Sequence, residues 1–240
     1  MAKIINSTKR REILDEYFKR VAIFTPTEQS FLFYSPEVQV IEYGRREIIC
    51  HEHPQHHNLY YIARGIVGMA TTDIAGNRLT TLLSAHHYFP HDVYQPNHSH
   101  YPVEVQVYSP VVQVIVFPQK IVRVLLENSS AFQRELARDL YHQFRMFRQL
   151  VEYEESPVVR LRVRKVLQYL GKHLGQNSDG SCVLPVTVTG GVLSRLACIS
   201  RATLTKNIKL LEDLRLVERT SDGIVLTARF LAMDDDELFR

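Results

Sequence analysis

The spacing of apolar residues divides the chain into three stretches, and the first of them is helical. The segment KRREILDEYFKRVAI at 9–23 repeats apolar residues every three or four positions, which predicts an amphipathic helix. Its inward face comprises Ile13, Leu14, Tyr17, Phe18 and Val21. A short second helix should begin at Thr25, because Thr25 can cap it, Pro26 suits its first turn and Glu28 can complete a capping box.

Between about 38 and 117 the apolar period becomes that of strands. The segments are short, rich in β-branched and aromatic residues, and separated by Gly, Pro, Asn or His clusters. They read VQVIEY, REIIC, LYYIARGIVGMATTD, RLTTLLS, VEVQVYS and VVQVIVF. The stretch DIAGNRL at 73–79 predicts a hairpin with its turn at Gly76 and Asn77. Many short strands at regular spacing indicate a jelly roll or barrel-like sandwich.

Helical spacing returns after residue 118, first in a short helix and then in a long one at 131–155. The long helix carries a narrow apolar stripe flanked by charge, namely Ala137, Leu140, Phe144, Phe147 and Val151. Such a stripe belongs either to a buried core helix or to a dimer helix, and its narrowness favours the dimer. Phe132 and Leu136 lie off the stripe and should hold the helix to its own β domain. The stretch ESP at 155–157 should end the helix.

The segment from 158 to 227 is the most informative part of the chain. A basic helix at 158–175 and a strand, CVLPVTV, precede GGVLSRLACIS, a short helix with a tight turn at Cys198 and Ile199. Its inward residues are Val192, Leu193 and Leu196. Ser200 then caps a second helix, RATLTKNIKLLEDL, and LVERTSDGIVLT forms two strands about an Asp222–Gly223 turn. The order helix, turn, helix and hairpin predicts a winged helix-turn-helix.

The second helix of this motif has two distinct faces. The inner face is apolar and comprises Leu204, Ile208 and Leu211. The outer face is polar and comprises Arg201, Thr203, Lys206 and Lys209. Such a helix fits the major groove of DNA, where arginine can contact guanine and lysine or threonine can contact phosphate or base. A winged helix used for protein contact is the alternative.

Charge favours DNA as the partner. The net charge is only +3, yet residues 157–219 hold 11 Lys and Arg against 4 Asp and Glu, whereas residues 1–118 hold 10 against 11. A positive block in a near-neutral chain indicates a polyanion partner, although a solvated helical surface would have the same composition.

Composition predicts an ordinary globular protein of the cytoplasm. The hydrophobic fraction is 45% and the charged fraction 23%, no apolar run approaches the ~18 residues of a membrane span, and the N-terminus lacks a signal-peptide pattern. Cys50, Cys182 and Cys198 fit neither a disulfide framework nor a thiolate cluster. We therefore expect no membrane partner.

The whole order, over about residues 20–227, resembles the Crp/Fnr superfamily of bacterial transcription regulators. LYYIARGIVGMATTDIAGNRL is similar to the central β-roll of that family, with Gly65 and Gly76 at turn positions, and ISRATLTKNIKLLEDLRLV is similar to its recognition helix. The resemblance implies an α+β fold: a β-roll or jelly-roll domain with N-terminal helices at 1–118, a dimerisation helix and hinge at 119–156, and a winged helix-turn-helix at 157–240. It also implies a homodimer that binds a palindromic operator.

The resemblance assigns roles to individual residues. Thr189 and Ser200 would contact phosphate, Arg201 would read a guanine, and Lys206 takes a position that is usually arginine. The expected DNA-contacting set, with the outer face included, is Thr189, Ser200, Arg201, Thr203, Lys206 and Lys209.

Three positions depart from the family pattern. Ala202 stands where the best-known members carry a glutamate that reads cytosine, so the usual half-site is in doubt. Cys198 stands where helix-turn-helix proteins often carry glycine, and Gly191 stands where a phosphate-contacting polar residue is common.

The family's small ligands are not expected here. Its cyclic-nucleotide cassette has Gly-Glu for the ribose and Arg-Ser for the phosphate, and the matching stretch YFPHDVYQPNHSHYPVEV at 88–105 has neither pair. Between Arg78 and Arg123 the only Lys or Arg is Lys120, and a phosphate needs cations or clustered N–H donors. An iron–sulfur cluster needs four thiolates, more than the three cysteines of this chain.

Histidine is concentrated instead, with nine of the eleven between residues 51 and 100. HEHPQHH at 51–57 falls on a hairpin turn of the family pattern, which favours an exposed polar turn. The stretch also resembles the first metal-binding motif of cupins, with Asn58 in place of a glutamate ligand, and neutral imidazoles bind transition metals well. A transition-metal site would comprise His51, His53 and a third ligand from His91, His98 or His100. Two further alternatives are that the histidines act as a proton sensor, and that the prolines and tyrosines of 88–102 fill the former nucleotide pocket.

No catalytic triad, Cys-His pair or phosphate-binding glycine loop can be placed in the sequence, so we do not expect an enzyme. The alternative function is a cupin-like metal-binding sensor or metalloenzyme with an appended DNA-binding module. A third is an architectural or partner-binding protein with an inert β-roll. The acidic C-terminus, MDDDELFR at 233–240, is expected to be a short solvated helix or tail, and no motif supports a contact with RNA polymerase.

Overall fold

The computed structural model describes residues 2–51, 58–72, 78–89, 103–154, 158–174 and 177–233. The chain forms two compact units, Met1–Phe144 and Arg145–Arg240, and the division falls inside the long helix. No helix in the described ranges is long and apolar enough to cross a membrane.

The first unit combines helices with antiparallel strands, and its last helix continues into the second unit. In chain order its elements are β1 (Lys3–Ile4), α1 (Ser7–Arg20), α2 (Pro26–Tyr34), β2 (Gln39–Gly44), β3 (Ile48–His51), β4 (Leu59–Arg64), β5 (Ile66–Thr72), β6 (Arg78–Ser84), β7 (Tyr88–Phe89), β8 (Val103–Val107), β9 (Val111–Phe117), α3 (Gln119–Asn128) and α4 (Ser130–Glu154).

The strands of this unit form two antiparallel sheets, with orders β1-β2-β9-β4-β7 and β3-β8-β5-β6. The second sheet contains the predicted hairpin, in which β5 pairs with β6 from Ile66 opposite Ser84 to Thr72 opposite Arg78. Its predicted turn at Gly76 and Asn77 lies outside the described residues. Gly65 joins β4 to β5 at a φ of +98°, where a Cβ would stand 2.5 Å from the carbonyl oxygen of Val111. The predicted combination of helices and a β-roll is confirmed.

Two apolar clusters form the core of the first unit. One lies between the sheets and is lined by alternate residues of the strands, such as Ile62, Val67 and Val114. The other joins the inner face of α1 to the outer side of the first sheet and to the start of α4. Phe132 and Leu136 are both fully buried in this second cluster, so the prediction that they hold α4 to its own β domain is confirmed.

Local capping explains where the N-terminal helices begin. The Asn6 side chain accepts a hydrogen bond from the Lys9 N–H and caps α1. At α2, the Glu28 N–H donates to Thr25 Oγ1 at 3.3 Å, and the Thr25 N–H donates to Glu28 Oε2 at 2.7 Å. Both halves of the predicted capping box are therefore present.

The second unit contains the C-terminal part of α4 and a small three-stranded sheet surrounded by helices. Its further elements are α5 (Val159–His173), β10 (Cys182–Pro185), α6 (Gly190–Leu196), α7 (Arg201–Asp213), β11 (Val217–Thr220), β12 (Gly223–Leu226) and α8 (Ala228–Ala232). The sheet is antiparallel with the order β10-β12-β11. Its core gathers buried residues such as Leu167, Leu193, Leu204 and Phe230.

The hairpin of β11 and β12 turns one residue earlier than predicted. Thr220 pairs with Gly223, so the two turn residues are Ser221 and Asp222, and Gly223 is the first residue of β12. Gly223 has a φ of +147°, and a Cβ there would stand 1.9 Å from the carbonyl oxygen of Leu184. The glycine is therefore required both by its positive φ and by the close approach of β10.

Candidate nucleic-acid interface

The first helix of the predicted helix-turn-helix is short and capped. Thr189 precedes α6, and its hydroxyl accepts a hydrogen bond from the Val192 N–H at 3.4 Å. Val192, Leu193 and Leu196 are buried, as their spacing predicts. The Thr189 side chain is exposed, so the hydroxyl that caps the helix also faces solvent and can still donate a hydrogen bond.

The turn between the helices is held in an unusual backbone conformation at Cys198, whose φ is +48°. This is the left-handed region that favours glycine, and a side chain there costs about 1–2 kcal/mol. The turn is closed by the Ile199 N–H, which donates to the Ser194 carbonyl at 2.9 Å. Arg162 Nη1 from α5 donates to the Cys198 carbonyl at 3.3 Å. These bonds explain how a cysteine is tolerated where glycine is common.

The second helix begins at a cap made of two hydroxyls. The Thr203 N–H donates to Ser200 Oγ at 3.1 Å, and Ser200 Oγ lies 2.8 Å from Thr203 Oγ1. Leu204, Ile208 and Leu211 are buried on the inner face, which confirms the predicted orientation of α7.

The outer face of α7 carries exposed cations. Arg201, Lys206 and Lys209 are exposed, whereas Thr203 is half-buried and its hydroxyl contacts Ser200. None of the three cations forms an ion pair within the described residues, so their charge is not compensated there. An uncompensated row of cations on one helix face can bind an anion.

Two further exposed residues of the helix-turn-helix were not singled out by the sequence analysis. Thr205 lies one turn after Arg201, is exposed, and donates its hydroxyl proton to the Arg201 carbonyl at 2.9 Å. Arg195 is exposed in the last turn of α6. Thr205 could have been found from the 3.6-residue period alone, because it lies one turn from Arg201, which was already assigned to the exposed face.

The wing carries both signs of charge. Arg219 of β11 forms an ion pair with Glu212 of α7 at 3.0 Å, which ties the wing to the second helix. Glu218 and Asp222 are exposed on the same hairpin. The cationic part of this unit is therefore on the helices rather than on the wing tip.

Helix α4 has an apolar face that no described residue of the chain covers fully. Ala137 is exposed, and the exposed fractions are 37% for Leu140, 61% for Phe144 and 46% for Phe147. The side chain of Val151 lies outside the described residues. Four of the five predicted stripe positions therefore share one exposed face, whereas Phe132 on the other side is fully buried.

Opposite the stripe, α4 is attached to β7 by a buried polar cluster. Asp139 is 5% exposed. Its Oδ1 lies 2.6 Å from His87 Nδ1, and its Oδ2 accepts from the Tyr88 N–H and from Gln143 Nε2, both at 2.8 Å. Gln143 Nε2 also donates to the Tyr88 carbonyl at 2.9 Å. A carboxylate so enclosed fixes the helix against the strand.

The predicted metal ligands are not tested by the structure. His51 ends β3, but its side chain lies outside the described residues, as do His53, His91, His98 and His100 in full. Within the described residues, no three or more His, Cys, Asp or Glu side chains form a cluster that could hold a metal ion. The metal site therefore stays a prediction.

Two histidines of the rich segment, His86 and His87, are described, and they have different partners. His87 contacts Asp139, as above. His86 has a φ of +78° and its Nδ1 lies 3.1 Å from the Tyr61 hydroxyl. Burial lowers the pKa of His86 below its usual value of 6.5, because the charged imidazolium loses hydration there.

Comparison with known proteins identifies the fold. A cyclic nucleotide-binding domain containing protein from Listeria monocytogenes EGD-e has a TM-score of 0.66 at 15% identity, over 91% of this chain and 99% of that one. A CRP/FNR-family transcriptional regulator from Thermus thermophilus has a TM-score of 0.61 at 18% identity, over 80% and 95%. The c-di-GMP responsive global regulator CLP of Xanthomonas campestris has a TM-score of 0.58 at 18% identity, over 84% and 98%.

No protein-family model matches the chain, and no curated protein does so either. The match to each of these three solved structures nevertheless covers at least 80% of this chain and at least 95% of that one. The chain has the Crp/Fnr-type fold, as the resemblance in its sequence predicts.

Proposed function

We propose that the chain is a sequence-specific, DNA-binding transcription regulator of the Crp/Fnr type and not an enzyme. The observation that carries the proposal is the outer face of α7, where Arg201, Lys206 and Lys209 are exposed and unpaired within the described residues. The regulators among the similar structures support the same function. DNA is the polyanion that a capped helix beside a hairpin wing fits best.

The roles on DNA follow from position and chemistry. Arg201, at the start of α7, reads a guanine through two parallel hydrogen bonds. Lys206 and Lys209, further along the helix, contact phosphate or base. Thr189 and Ser200 contact phosphate through their exposed hydroxyls, and Thr203 supports the cap. Because Ala202 has no acceptor, the base pair that it faces is selected less strongly than in family members with glutamate there.

A homodimer completes the proposal. The exposed stripe of α4 packs against the same stripe of a second copy. Two α7 helices related by the dimer axis then read a palindrome with half-sites about 34 Å apart. The proposed organisation is a β-roll at 1–118, a dimerisation helix and hinge at 119–156 and a DNA-binding domain at 157–240, in the cytoplasm of a bacterium. RNA polymerase stays a candidate partner without an assigned contact.

The test is selection of DNA sequences by the purified full-length protein, followed by titration of selected and random duplexes at several salt concentrations. We expect Arg201→Ala to relax base preference, and Lys206→Ala to weaken binding to all sequences and lower the salt slope by about 1. Lys172→Ala is the matched control, because Lys172 is an exposed lysine on a different helix, α5. If the Arg201 and Lys206 variants bind both duplexes as the parent does, the assignment of α7 is wrong.

No cyclic nucleotide or iron–sulfur cluster is part of this proposal, and the effector is open between none, a proton and a transition metal. Elemental analysis of untagged protein purified without chelator, beside the His51→Ala/His53→Ala double variant, separates a transition metal from the other two cases. We expect no stoichiometric metal and equal DNA binding in both samples, as for a polar turn. Near-stoichiometric metal that only the parent holds would make HEHPQHH a ligand site and favour the cupin-like alternative.

A further inference from the structure

The side chain of Arg201 lies across the first turn of α6. A Cβ placed on Gly191 would stand 2.8 Å from Arg201 Nη2, 3.3 Å from its Cζ and 3.4 Å from its Nε. The first two distances are shorter than ordinary contacts and the third is at their lower limit, so the guanidinium occupies the space that a side chain at 191 would need. Among the described residues, a Cβ on the preceding residue, Gly190, would meet only Leu204 Cδ2, at 3.9 Å.

We propose that Gly191 is a positioning residue that sets the direction in which Arg201 approaches the base pair. The inference rests on the proposed DNA-binding function and deepens it. It also gives a reason for a departure in the sequence. Gly191 replaces a polar residue that would contact phosphate, and the space so released is taken by the guanidinium.

The physical basis is the conformational entropy of arginine. A free arginine side chain loses up to about 2 kcal/mol of rotamer entropy when it is fixed in one geometry. A guanidinium that already leans on the backbone of α6 has fewer conformations to lose on binding. The backbone under Arg201 is fixed as well, because the Thr205 hydroxyl donates to the Arg201 carbonyl at 2.9 Å.

The surface under the guanidinium is itself well supported. Ser194, buried in the same helix, donates from Oγ to the Gly191 carbonyl at 3.2 Å, and Thr189, the residue directly before the helix, caps it. A methyl group at 191 would therefore displace the flexible end of Arg201 rather than the backbone of α6. The fold should survive the substitution, and only the orientation of Arg201 should change.

The two neighbouring glycines offer a matched pair of variants, Gly191→Ala and Gly190→Ala. Each adds one methyl group in the first turn of α6, so any gain in helix propensity should be similar in the two. Only the methyl at 191 meets Arg201. Both are made in the full-length parent and in an Arg201→Ala background, where the proposed contact is absent.

The first readout needs no DNA. In ¹⁵N-labelled protein, the Nε–Hε resonance of Arg201 is assigned by its loss in Arg201→Ala. We expect Gly191→Ala to shift this resonance and lower its heteronuclear NOE, and Gly190→Ala to leave both as in the parent. Equal spectra for the two glycine variants would overturn the proposal, whatever the protein does with DNA.

The second readout is base discrimination. It is the Kd for a duplex altered at the base pair that Arg201 reads, divided by the Kd for the selected duplex. We expect Gly191→Ala to lower this ratio about five- to tenfold, the lower part of the range for one bidentate contact, with Gly190→Ala unchanged. In the Arg201→Ala background, Gly191→Ala should have no further effect. An unchanged or higher ratio in Gly191→Ala would overturn the positioning role. If the parent itself does not discriminate, the DNA-binding proposal fails, and the resonance of Arg201 still decides the contact with Gly191.

Discussion

Replacement of Phe144 by alanine should separate dimer formation from folding. The ring is 61% exposed, so it contributes little to the core of the subunit. An aromatic side chain offers roughly 200 Å² of apolar surface, of which about 120 Å² is then available to a partner. At ~25 cal/mol per Å² the burial of this surface stabilises the dimer by about 3 kcal/mol. Because alanine retains a methyl group that is still buried, the substitution removes about 2 kcal/mol of this.

A two-fold interface contains the residue twice, so the expected loss is about 4 kcal/mol per dimer. This corresponds to a rise of roughly a thousandfold in the dimer Kd. Sedimentation equilibrium over a range of protein concentrations measures the Kd directly. Thermal unfolding at a concentration where the variant is monomeric should show a subunit that remains folded.

Phe31→Ala is the matched control, because Phe31 is the same residue type on α2 and is 42% exposed. It should leave the dimer Kd within a few-fold of the parent. The dimer assignment is refuted if the Phe144 variant associates as tightly as the parent, or if the parent is monomeric at high micromolar concentration. A variant that unfolds at low concentration would instead indicate that the subunit has no stable monomer.

Three further predictions concern groups inside the units. Asp139→Ala should lower the free energy of unfolding by roughly 2–3 kcal/mol, since it leaves buried donors without an acceptor. Urea unfolding measures this loss, with Arg134→Ala as the control at an exposed site. An equal loss in the two variants would contradict the role given to the Asp139 carboxylate. The lowered pKa of His86 means that the unfolded chain takes up a proton before the folded one, so stability should be lost as the pH falls below about 6.5. His86→Asn, which tolerates the same positive φ, should flatten that loss in urea titrations at pH 7.5, 6.5 and 5.5, and an unchanged slope would exclude His86 as its source. Burial raises the pKa of Cys182 to about 11, so iodoacetamide at pH 8 should label the exposed Cys198 before Cys182. Peptide mass spectrometry follows the labelling of each cysteine. Faster labelling of Cys182 would show that its buried site opens.

The features that the sequence predicted well are those that neighbouring residues determine. A capping box such as Thr25 with Glu28 needs only residues three apart, and an inner face such as Leu204, Ile208 and Leu211 follows from one helical period. The short helix α8 was missed. Its cap, Thr227, follows directly on a strand, and five residues are too few to show a period.

The features that were missed depend on residues distant in the chain. The wing turn was placed one residue late, because Gly223 looks like a turn glycine and is in fact the first residue of β12, where its positive φ and the nearby carbonyl of Leu184 both require glycine. The histidines were treated as one group, whereas His87 contacts Asp139, 52 positions later. No local pattern shows such a pairing, so its discovery needed the fold.

Helix α4 joins both kinds of feature in one element. Its exposed stripe was predicted because all its members are apolar. Its buried side begins with Phe132 and Leu136 and continues, at the same three- and four-residue spacing, with Asp139 and Gln143. A count of apolar residues stops at Leu136, because the last two positions are polar and are satisfied by the main chain of Tyr88. The helix is therefore attached to its own subunit through hydrogen bonds where the sequence alone suggests a free surface. Since attachment and association use opposite faces, a substitution at Asp139 should alter subunit stability and one at Phe144 the dimer Kd, so that the two properties can be measured apart.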